Sequence, residues 1–167
     1  MYNSYNRPSG GYNRNGGSNS RGGYGRNQNQ RPSAPAEPYK PLEEGSYIDE
    51  AEKVIKNMKG EDGRLRLTTS KIRNLLAMSA EILNKVNSSL GLNEPTSPIG
   101  AEIRKEIGYL RVRTVYECGR EPNVRDFVEK THLIDCIKDV KTLEEAERFC
   151  HYMEALVAFH RYYGGKD

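Results

Sequence analysis

Cys150 and His151 are adjacent in the chain, and a thiol beside an imidazole is the simplest pair that could attack a substrate. Neighbouring residues on a helix point about 100° apart, so these two cannot act on one another. Cys118 and Cys136 could meet His132, His151 or His160 in space, but no spacing requires it. A free cysteine is commonly a small core hydrophobe. No HExxH, CxxC or GxSxG is present. The glycine-rich stretch has no strand or helix around it to make a phosphate loop. The carboxylates cluster at helix starts and beside Lys or Arg, the pattern of a solvated face. The residues therefore supply no catalytic, metal-binding or cofactor-binding candidate and argue against an enzyme.

Residues suited to binding a polyanion are more prominent. Arg64, Arg66, Lys71 and Arg73 lie in a loop and the helix start that follows it, where unsatisfied N–H groups favour an anion. Arg64 and Arg66 could equally pair with Glu61 and Asp62. Tyr109, Arg113, Tyr116 and Arg120 recur at i, i+4, i+7 and i+11, with Arg111 nearby. Guanidiniums interleaved with aromatic rings suit a sugar-phosphate backbone. Here too Glu102, Glu106 and Glu117 are close enough to pair with Arg113 and Arg120.

Two different polymers make up the chain of 167 residues. Residues 1–36 contain no Val, Ile, Leu, Phe, Asp or Glu, and Arg7, Arg14, Arg21, Arg26 and Arg31 give them a charge of +5. The whole chain is +3, which leaves −2 for residues 37–167. The first segment cannot bury enough apolar surface to offset its chain entropy and is expected to be disordered. Its mixture of Arg, Tyr and Gly is suited to single-stranded nucleic acid and equally to an inert, solubilising or self-associating tail. A stand-alone single-stranded RNA-binding protein working through this tail is the second reading. Residues 37–45 form a Pro-rich acidic linker, so the expected domains are 1–45, tail and linker, and 46–167, a helical domain.

The elements that would position the basic residues are helices. Ser46 and Asp49 open the first, with Ile48, Ala51, Val54, Ile55 and Met58 on its inner face and Gly60 as its stop. Thr68 or Thr69 opens the second, with an inward stripe of Ile72, Leu75, Leu76, Ser79, Leu83, Val86 and Leu90. The third runs from about Ile99 to Cys118, with Ile103, Ile107, Leu110 and Thr114 inward and Gly119 as its stop. Pro122 or Asn123 opens a fourth that breaks near Thr131. Thr142 and Glu145 form a capping box for the last, whose Ala155–Phe159 turn is apolar all round and belongs at the centre. No stretch alternates as a strand does. The fold class is all-α, a compact bundle of five or six helices. No run of about 18 apolar residues suggests a membrane span. Three widely spaced cysteines without a secretory signal point to free thiols in the cytoplasm.

Five stretches carry a resemblance across nearly all of residues 46–167: YIDEAEKVIKNM (47–58), LTTSKIRNLLAM (67–78), EIGYLRVRTVYECGRE (106–121), VRDFVEKTHLIDCI (124–137) and FCHYMEALVAFHRYYGGKD (149–167). In these the chain resembles the small subunit of the type III-A CRISPR effector, the Csm complex. The resemblance implies a non-catalytic subunit, present in several copies along a guide RNA–target RNA duplex and holding it by its backbone. Target cleavage would belong to the repeating backbone subunit, and DNA cleavage and cyclic-oligonucleotide synthesis to the large subunit. The implied partners are guide RNA, target RNA, the other Csm subunits and further copies of the chain. The duplex-contacting residues would be Lys71, Arg73, Arg111, Arg113 and Arg120. The Arg/Gly/Tyr tail departs from the family core, as does Cys118, where a small residue such as Ala is expected.

Overall fold

The computed structural model describes residues 38–166. The segment expected to be a disordered tail lies outside the described residues. Six helices follow one another: α1 (Tyr47–Asn57), α2 (Thr69–Leu90), α3 (Ala101–Arg120), α4 (Pro122–Lys130), α5 (Leu133–Asp139) and α6 (Leu143–Tyr162). Among the described residues, extended pairing is limited to two isolated bridges, Thr68 with Lys166 and Pro98 with Thr142.

The helix boundaries follow from local chemistry. Proline suits a first helical position, where its missing N–H is not needed, so Pro122 ends α3 and begins α4. α3 runs through Gly119, which was expected to stop it. The break near Thr131 is a left-handed residue, His132, with φ 51°, and it splits the fourth segment into α4 and α5. The capping box of α6 is complete: the Glu145 amide donates to Thr142 Oγ1 at 3.4 Å, and the Thr142 amide donates to Glu145 Oε2 at 3.0 Å. The box expected at Ser46 is not made, although Ser46 does precede α1. The Pro-rich loop before α3 completes the α6 cap, because Ser97 and Pro95 carbonyls accept from the Leu143 and Glu144 amides at 3.0 and 2.9 Å.

α6 packs against α1, α2 and α5, while α3 packs against α2, α4 and α5. Leu156, Met153, Phe149, Leu75, Leu110, Phe127 and Leu133 are among the side chains sealed between them. The inward residues differ from expectation at three places. Ile48 is half exposed, because α1 meets only one neighbour closely and needs a narrow stripe. Ile82, rather than Leu83, is the buried residue in the middle of α2. Ala158 leaves one line of α6 open to solvent.

The linker residues 38–45 have no helix and lie along the bundle. The Tyr39 hydroxyl donates to Asp139 Oδ2 at 2.5 Å, and Arg148 holds Glu44 Oε2 at 2.9 Å and the Leu42 carbonyl at 3.3 Å. Burial together with that hydrogen bond raises the Tyr39 phenol well above its ordinary value. Tyr39 and Leu42 pack on the core cluster.

Candidate nucleic-acid interface

α2 and α3 run antiparallel, and their seam holds three of the seven basic residues singled out in the sequence, Lys71, Arg113 and Arg120. Lys85 on α2 bridges Glu102 and Glu106 of α3 at 2.6 and 3.2 Å. The hydrogen bonds to these two carboxylates raise the Lys85 pKa, and Lys85 in turn holds Glu102 below its ordinary value. Farther along, Lys71 meets Glu121 at 2.6 Å. Between them Glu117, nearly buried, accepts from Arg113 at 3.1 Å and faces Arg120 at 3.6 Å. Lys85, Lys71, Arg113 and Arg120 are thus matched by Glu102, Glu106, Glu117 and Glu121, and the seam carries no net charge.

Tyr116 completes this arrangement. Its ring lies 5.2 Å from the Arg113 guanidinium and 5.5 Å from that of Arg120, within the range of a cation–π attraction. Tyr116 is 52% exposed and Tyr109 55%, so both side chains stand about half in solvent.

The seven basic residues do not form one surface. At 100° per residue, Arg111 and Arg113 project about 200° apart around α3, as do Lys71 and Arg73 around α2. Lys71, Arg113 and Arg120 therefore face the seam, while Arg111 and Arg73 are turned away from it. Arg66, Arg73 and Arg111 are exposed and have no carboxylate partner among the described residues. Arg64 is also exposed, and its backbone amide donates to Asp62 Oδ1 at 3.1 Å.

The start of α2 differs from the open anion site expected of a helix N-terminus. The Lys166 carbonyl accepts from the Thr69 amide at 2.8 Å, which satisfies one of the orphan donors. The chain reaches it by a turn through Gly164, φ 91°, and Gly165, whose amide donates to the His160 carbonyl at 2.8 Å. His160 is fully buried there. Its Nε2 lies 2.9 Å from the Leu67 carbonyl and its Nδ1 3.5 Å from Thr69 Oγ1, so Nε2 carries the proton and donates. A Cβ on Gly165 would overlap the ring and carbonyl of His160. No sequence signal pointed to this hook. For Lys85 the signal lies on the facing helix, where Glu102 and Glu106, one turn apart, mark a place for a cation.

The two buried thiols are neutral. Burial pushes the Cys136 and Cys150 thiols up to about 12, so both stay protonated near neutrality and are poor nucleophiles. None of the three cysteines is in a disulfide. His151 lies 3.9 Å from Glu154 on its own helix. Among the described residues no group of three His, Cys, Asp or Glu side chains could hold a metal ion, and no helix is long and apolar enough to cross a membrane.

Comparison with known proteins agrees with the helical body and not with the tail. The family model described as Csm2 Type III-A matches residues 44–166. The chain is 38% identical over 127 residues to the CRISPR system Cms protein Csm2 of Streptococcus thermophilus, covering 75% of this chain and 98% of the relative. It is 34% identical over 122 residues to the protein of the same name from Mycobacterium tuberculosis, covering 72% and 94%. The Enterococcus italicus relative, also so named, is 40% identical over 100 residues, covering 58% and 68%.

Proposed function

The chain belongs to the type III-A Csm2 family, and from that premise we propose that it is a non-catalytic subunit of a type III-A CRISPR interference complex that binds a guide RNA–target RNA duplex by its backbone. Guide RNA, target RNA, the other Csm subunits and further copies of the chain are its partners, and it supports their assembly. The supporting observation is that Arg66, Arg73 and Arg111 stand exposed without a carboxylate partner among the described residues. An unpaired guanidinium can meet a phosphate without first giving up an ion pair. Contacts of this kind fix position without reading bases, which suits a protein that must accept any guide. The A-form duplex offers its backbone and 2′-hydroxyls more readily than its base edges.

Arg113, Tyr116 and Arg120 form the second contact, and Lys71 the weakest, since Glu121 already neutralises it. Arg64 joins Arg66 in the loop. The test is the affinity of the assembled complex for target RNA at several salt concentrations. Each lost duplex phosphate contact flattens the plot of log affinity against log salt by about 0.9. Alanine at Arg66, Arg73 or Arg111 is expected to flatten it for unrelated guide sequences alike, and alanine at Lys71 to change it less. Wild-type slopes in all of these variants would refute the reading.

A further inference from the structure

Tyr162 is 78% exposed on the last turn of α6. It lies two residues after the buried His160 and so projects about 200° away from it. Single exposed rings are ordinary on a protein surface; what sets Tyr162 apart is its surroundings. Tyr163 meets it edge-on, with centroids 5.0 Å apart, and itself stacks on Phe159 at 6.4 Å. The Tyr163 hydroxyl donates to Glu52, and the ammonium groups of Lys59 and Lys56 lie 4.5 and 5.5 Å from its ring centre. Beyond Tyr163 the chain is fixed again where the Gly165 amide meets His160 and the Lys166 carbonyl meets Thr69. Tyr162 is therefore flanked on both sides in sequence by fixed residues, and its side chain is largely exposed.

We propose that Tyr162 is a stacking platform for an unpaired nucleobase of single-stranded RNA, with Lys59 and Lys56 holding the adjoining phosphates. The proposal rests on the reading that the chain binds RNA, and it adds a site that recognises a splayed-out nucleotide rather than a duplex backbone. The chemistry favours a nucleobase over a protein partner. Lysine is depleted from the centres of protein interfaces, whereas rings with cations nearby bind single strands, since every base has a π face; here the cations lie over Tyr163, whose ring meets Tyr162 edge-on. Lys56 is paired with Glu52 at 2.8 Å; Lys59 has no carboxylate partner among the described residues. Paired bases in an A-form helix are not available to such a ring, so the ligand must be unpaired.

The experiment measures the affinity of the full chain, as wild type, Tyr162→Phe and Tyr162→Ala, for a single-stranded RNA oligonucleotide and for a blunt RNA duplex. A 5-iodouracil-substituted oligonucleotide is photocrosslinked in parallel and the attachment mapped by mass spectrometry. Removing one stacked ring is expected to weaken single-strand binding about 5- to 150-fold. Tyr162→Phe should bind as wild type does, duplex affinity should change less than about twofold, and the crosslink should map to Tyr162. Equal losses on duplex and single strand would overturn the proposal. So would unchanged single-strand affinity in Tyr162→Ala, whether or not that variant assembles poorly with Csm partners, which would mark a protein contact instead. The alanine variants of Arg66 and Arg73 separate the two readings, since their salt slopes report the backbone contacts whatever Tyr162 does.

Discussion

Gly165 touches His160 so closely that glycine alone fits: any Cβ would overlap the imidazole ring and the His160 carbonyl. The two residues fasten the end of α6 to the start of α2, through Leu67, Thr69 and Lys166. Gly165→Ala is expected to destabilise the fold by about 1–3 kcal/mol, the usual consequence of overpacking. Gly108 offers the internal contrast, since a Cβ there meets nothing within 4 Å in the middle of α3. Gly108→Ala should stabilise by about 0.5–1 kcal/mol through helix propensity. Urea unfolding of both variants checks the opposite signs.

His160 also gives the fold a pH dependence. Burial holds its imidazole below the ordinary 6.5, so the unfolded chain takes up the proton more readily than the folded one. The stabilisation is complete above 6.5 and is lost as the pH falls from there through the depressed folded value. Melting temperature should therefore decline between about pH 7 and pH 5. In His160→Gln the decline over this window should be shallower. Parallel curves for the two proteins would remove His160 as its source.

Glu117 restrains Arg113 and Arg120 at once. Glu117→Gln keeps the shape and leaves both guanidiniums available to phosphate. The salt plot for RNA binding is expected to steepen by about one contact, about 0.9, and low-salt affinity to rise. This is opposite in sign to Arg113→Ala, so the pair of variants distinguishes a phosphate-binding face from one that is only a structural ion pair.

Thr142→Ala should destabilise by about 0.5–2 kcal/mol, because the side chain caps α6. The Ser97 and Pro95 carbonyls still serve the next two amides, which keeps the loss toward the lower end. Ser46→Ala should be nearly neutral, since Ser46 makes no side-chain cap bond at α1. Chemical denaturation of the two variants makes the comparison.

Apolar spacing made the helices legible because helical period and burial are the same information. It located Ile103, Ile107, Leu110 and Thr114 on α3 and placed the break near Thr131. It favours Leu83, although Ile82 continues the buried line of Ile72, Leu75, Ser79 and Val86, and the facing helices decide between the two. The charged seam was half visible: Glu117 was noted as a partner for Arg113 and Arg120, while Lys85 required knowing that α2 and α3 run antiparallel. Arg111 was grouped with Arg113 by sequence proximity, and helical rotation separates them. The hook at Gly165 and the docking of Tyr39 join residues about 100 positions apart in the case of Tyr39 and Asp139, beyond the reach of any local pattern.

The order in which the chain is made differs from the order in which it packs. α1 and α2 come early in the chain, yet both rest on α6, the sixth helix of the described residues. The α6 cap in turn uses carbonyls from residues 95 and 97, and the α2 start is fastened by Lys166. During synthesis the early helices can pair only with the α3–α5 segment, leaving the faces meant for α6 uncovered. Closure of the core therefore waits for α6, so a product truncated before that helix would expose apolar surface and be open to proteolysis.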